Sequence, residues 1–88
     1  MNITNLFGEY LAELTGKRPI ACKGIIRLAV KDAHQDRAPE NLDYSELKDV
    51  FNTTFKQRLE NVGIPNIDQI VQSIMGYLVK NQSLLTMA

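Results

Sequence analysis

The 88-residue sequence predicts an all-α fold, a compact four-helix domain, on three observations. Apolar residues recur at three-four spacing in four separate stretches. Glycine and proline stand where one stretch stops and the next begins. No stretch alternates with the period of two that a half-buried strand shows. Helices are expected at about 3–15, 19–33, 43–62 and 66–80, within a single domain spanning 1–88.

The first helix carries Ile3, Leu6, Phe7, Tyr10, Leu11 and Leu14 along one face, with Glu9 and Glu13 on the other. Gly16 suits the left-handed turn that closes a helix, and Pro19 suits the first turn of the next, where its missing N–H costs nothing. So short a connection makes the first two helices antiparallel neighbours. In the second helix, Ala21, Cys22, Ile25, Ile26, Leu28, Ala29 and Ala33 fall on one broad arc, with Lys23, Arg27 and Lys31 in a narrow stripe opposite. An arc this wide marks the most buried, central helix. Gly24, between the two faces, is expected to permit close helix approach at a cost of about 0.8–1 kcal/mol in helix propensity.

Residues 34–42 lack helical periodicity, and Pro39 disfavours helical geometry at Ala38. The third helix opens on Asp43 and Glu46, a capping-box pair, and points Leu47, Val50, Phe51, Phe55, Leu59 and Val62 inward before Gly63 ends it. Arg58 also projects onto that apolar face. It is expected to reach solvent along its stem, the alternative being a carboxylate from another helix. Asn66, with Gln69 three residues on, reads as the cap of the fourth helix, which buries Ile67, Ile70, Val71, Ile74 and Leu78. Beyond it, Leu84, Leu85 and Met87 either extend the helix by two turns or form an apolar strip. Leu85 shares the meridian of Ile67, which favours extension.

An apolar share of 44% and a charged share of 23% are ordinary for a globular protein, and no stretch approaches the roughly 20 apolar residues of a membrane span. The N-terminal residues do not read as an export signal, and the lone Cys22 fits a reducing compartment, so the cytoplasm is the expected location. The net charge of zero hides an asymmetry. Residues 17–31 hold five bases (Lys17, Arg18, Lys23, Arg27, Lys31) and no acid, whereas residues 32–49 hold six acids against two bases. Such polarity serves an intramolecular helix pairing, a head-to-tail self-association, or a site for an acidic partner.

Gly16-Lys17 resembles only the end of a phosphate-binding loop, because Leu11 stands where that loop needs its first glycine. Cys22 and His34 are too few for a zinc site, and the acids around Asp36 and Glu40 lack the oxygen spacing and glycine of a calcium loop. Near Lys23 and Arg18, Cys22 could become a thiolate, but its place on the apolar arc makes it a small hydrophobe. The stripe Lys17, Arg18, Lys23, Arg27, Lys31 is the best surface for phosphate, yet five charges manage few contacts and no aromatic residue interleaves them. The last two helices outline a helix-turn-helix, but Asp68, Gln69, Gln72 and Ser73 offer its reading face no positive charge. Asp43-Tyr44-Ser45-Glu46 lacks the Asp-Ser-Leu signature in which carrier domains resemble one another.

The sequence therefore predicts a small, non-catalytic helical protein-protein interaction or regulatory module without cofactor or metal. It would associate with a protein partner or with itself through helix faces and the strip Leu84, Leu85, Met87. The alternatives are nucleic-acid or polyanion binding through the basic stripe, and an accessory role in an enzyme complex.

Overall fold

The computed structural model describes residues 2–83. Within them lie α1 (Ile3–Thr15), α2 (Pro19–Ala33), a 3-10 turn (Pro39–Asn41), α3 (Tyr44–Asn52), α4 (Thr54–Asn61) and α5 (Ile67–Lys80), and no strand. This is the expected all-α four-helix domain with its third helix divided. The strip Leu84, Leu85, Met87 and any extension of the last helix lie outside the described residues.

Local chemistry explains most boundaries. The Asn2 side chain accepts from the Asn5 N–H at 3.1 Å to start α1, and Gly16, at φ 73°, ends it by donating to the Ala12 carbonyl. Pro19 opens α2. Asp43 and Glu46 form the full capping box of α3, each side chain accepting from the other residue's backbone N–H. Gly63, at φ 72°, closes α4 in a Schellman turn: its N–H donates to the Glu60 carbonyl and that of Ile64 to the Leu59 carbonyl.

Several expectations are corrected. The 43–62 helix breaks at Thr53, where the backbone turns to φ −122° and ψ −88°. The Thr53 hydroxyl donates to the Asp49 carbonyl at 2.7 Å, the back-bonding that bends helices, while the Thr54 hydroxyl crosses to the Ala29 carbonyl of α2 at 2.6 Å. Val62 is 50% exposed rather than inward, because the helix has already ended and the turn delivers Ile64 to the core instead. Asn66 does not cap α5 through its side chain; it sits in the left-handed region at φ 59°. Gly24 meets no neighbour. The close approach is at Gly8 of α1, where an added Cβ would lie 2.4 Å from Cγ of Lys23 and 3.3 Å from its Cα.

The core is a single cluster drawn from all five helices, together with Leu42 and Ile64 from the connections. Its centre is aromatic. Phe7 packs on Phe51 at 5.1 Å, Phe51 edge-on against Phe55 at 5.1 Å, and Tyr77 edge-on against Phe7 at 5.4 Å while stacking on Tyr10 at 4.1 Å. These rings belong to α1, α3, α4 and α5, whereas α2 brings aliphatic side chains and, as expected, is the helix in widest contact with its neighbours. It packs against α1, α3 and α4 and buries Cys22, Ile25, Ile26, Ala29 and Val30, whereas α5 packs chiefly on α1, α3 and α4. Relative to the arc read from the sequence, Val30 moves in, and Ala21, Leu28 and Ala33 face outward.

Candidate interaction surface

The exposed side of α2 follows from the same rotation. With Cys22, Ile26, Ala29 and Val30 fully buried, the opposite side carries Ile20, Ala21, Gly24, Arg27, Leu28 and Lys31. Ile20 is 76% exposed and Leu28 45%. Ile20, Gly24 and Leu28 follow one another at i, i+4 and i+8, a ridge about 12 Å long on the helix surface. Gly24 leaves a notch in that ridge, with nothing within 4 Å of where its Cβ would stand.

The five bases read from the sequence surround this ridge. Lys17 and Arg18 lie exposed in the turn before α2, and Arg27 and Lys31 lie exposed along it. Lys23 is half-buried, its stem packed on Gly8 of α1, so it edges the face rather than forming a stripe at its centre. None of the five joins an ion pair among the described residues, which hold three such pairs elsewhere.

One of those pairs borders the face and corrects the reading of Arg58. Its guanidinium does not simply reach solvent; it grips Asp32 of α2 in a bidentate pair, Nε to Oδ2 at 2.7 Å and Nη2 to Oδ1 at 2.8 Å. The hydrogen bond from Arg58 holds the Asp32 carboxyl below its ordinary pKa against the opposing effect of burial, and the same bond raises that of Arg58. Two of its three nitrogens are thus engaged by Asp32. The pair lines a hollow together with Lys31, Gln35 and Asp36, and Leu28 of the ridge is its one apolar residue among those described.

Elsewhere, Arg37 donates to the Glu46 carboxylate and to the Asn41 carbonyl, tying the loop to α3. The Glu46 pKa is lowered first by the backbone N–H of Asp43 and then by Arg37. Thr4, fully buried, donates to Glu40 at 2.9 Å, fastening the same loop to α1. Cys22 is fully buried with its Sγ 3.8 Å from the Thr15 hydroxyl, the surroundings of a packed thiol. His34 closes α2, its backbone N–H donating to the Val30 carbonyl. Among the described residues no three His, Cys, Asp or Glu side chains gather as a metal would need, and no helix is long and apolar enough to cross a membrane.

Sequence reasoning missed the ridge because it assigned Leu28 inward and left Ile20 unplaced. A usable signal was present: Ile20 lies seven and eleven residues before Arg27 and Lys31, on the meridian of the bases. Comparison with protein-family models, curated proteins and solved structures gave no match.

Proposed function

We propose that this chain is a small helical interaction module that docks an acidic amphipathic helix of a partner protein on the outward face of α2. The observation that supports this reading is the apolar ridge Ile20, Gly24, Leu28, with Ile20 76% exposed, set among five bases that join no ion pair among the described residues. A helix laid along such a ridge seats its apolar side chains around the Gly24 notch and its carboxylates beside Lys17, Arg18, Arg27 and Lys31. Opposite charges across the contact speed encounter and reject basic partners. One helix face covers less than the roughly 1,200 Å² of a standard interface, so the association is a transient one.

Polyanion binding is the second reading, favoured by the same cluster of bases. The two differ in their need for the ridge. Ile20→Ser with Leu28→Ser removes apolar surface without changing charge, and the proposed function requires that this variant bind an acidic Leu/Glu amphipathic helical peptide at least about tenfold more weakly. Because Ile20 is exposed, the thermal midpoint should scarcely move. A peptide with Lys in place of Glu should not bind. A single-stranded oligonucleotide that binds equally to both forms, with the acidic peptide bound by neither, would transfer the function to polyanion binding. Sedimentation at rising concentration separates a second copy from a different partner, and a stable hetero-complex with an enzyme would mark an accessory subunit.

A further inference from the structure

A second concavity shares Lys17 with the surroundings of the α2 ridge but is otherwise built from α1, α5 and the turn after α4. Helices α1 and α5 run antiparallel, Tyr77 meeting Tyr10 and Phe7, while the end of α1 stands opposite the start of α5. The turn after α4 swings outward at Gly63 and Pro65, and a cleft of about 350 Å³ opens between the turn, Leu14 and the first turns of α5. Its floor is apolar: Ile64 is 5% and Ile70 7% exposed, with Leu14 half-buried beside them. Its rim is polar, with Lys17, Gln69 and Ser73 reaching in. Among the described residues, Lys17 is the only charged one of the lining and its ammonium makes no ion pair.

This volume sits at the lower end of the roughly 300–1,000 Å³ typical of small-molecule sites, which pair an apolar surface with a few convergent polar groups. We propose that the cleft binds a small amphipathic monocarboxylate, its aliphatic or aromatic body on Leu14, Ile64 and Ile70 and its carboxylate on the Lys17 ammonium. The single positive charge matches a single negative one. The floor gives no return on desolvating a small, fully hydrated anion such as inorganic phosphate. Neutral Ser73 and Gln69 add hydrogen bonds at the mouth without adding charge. The Thr15 hydroxyl is already engaged, donating to the Leu11 carbonyl at 2.8 Å and accepting from the Lys17 N–H at 3.2 Å, so it fixes the base of Lys17 rather than meeting the ligand. This inference does not rest on the docking proposed for α2.

Titration of the full chain with octanoate, followed by amide chemical shifts, tests it. A ligand of about ten non-hydrogen atoms held by one charge should saturate with a Kd of about 0.1–1 mM, moving the amides of residues 14–17 and 63–73. Acetate should fail to saturate in that range. Lys17→Gln should weaken octanoate about tenfold and leave octanol unchanged, whereas Ser73→Met, which crowds the mouth, should weaken both. Non-saturating shifts, shifts confined to the face of α2, or equal octanoate affinity in Lys17→Gln would overturn the proposal. The shift map of the unaltered protein decides the matter even where a variant folds poorly.

Discussion

Gly8 and Gly24 are both helical glycines, and they should respond in opposite ways to the same substitution. At Gly8 a methyl group meets Lys23, including its backbone at 3.3 Å, so Gly8→Ala must push α1 and α2 apart. The expected loss is about 1–3 kcal/mol in a denaturant titration. At Gly24 the space is open, and Gly24→Ala should gain about 0.5–1 kcal/mol from helix propensity while filling the notch of the docking face. The charged residues make a pH prediction. Asp32 and Glu46 both have folded pKa values below their ordinary ones. A lowered folded pKa means that their stabilisation is fully present above the unfolded carboxylate pKa and is lost as pH falls through the folded value. The thermal midpoint should therefore drop on acidification below about pH 4, and Asp32→Asn should flatten that drop. The effect is small because these carboxylates are not deeply buried.

At the scale of elements, what could be read from the sequence was what depends on neighbours in sequence. The bounds of α1 and α2 agree with expectation because Gly16, Pro19 and the helical periodicity act within a few residues of themselves. The capping box is equally local, and Asp43→Ala should cost about 1 kcal/mol by calorimetry, with α3 the first helix to lose hydrogen-exchange protection. The break at Thr53 was not readable, because the Thr54 hydroxyl finds its acceptor on Ala29, 25 residues away. The Asp32–Arg58 pair spans 26 residues and was hidden for the same reason. The outward turn of Leu28 was hidden differently. A helical wheel ranks residues by polarity, and the alanines flanking Leu28 fit a buried or an exposed side alike, so the wheel could not tell from which direction α1 and α4 would arrive.

At the scale of the molecule, the α2 face and the cleft share Lys17 but arise from different consequences of one fold. The core consumed Cys22, Ile26, Ala29 and Val30 of α2 and left Ile20 and Leu28 outside; the turn after α4 placed Ile64 inside and left a cleft above it. The sequence identified the basic residues around the first surface but not the apolar ridge between them, and it gave no sign of the second, whose walls come from segments about 50 residues apart. The ring cluster has a further consequence. Phe7 and Tyr10 come from before the long loop, and Phe51, Phe55 and Tyr77 from after it, so every ring contact across the loop joins two half-molecules. A chain severed within that loop would yield two fragments, each holding part of one aromatic lock, and their reassembly on mixing would make the fold itself a reporter of proximity.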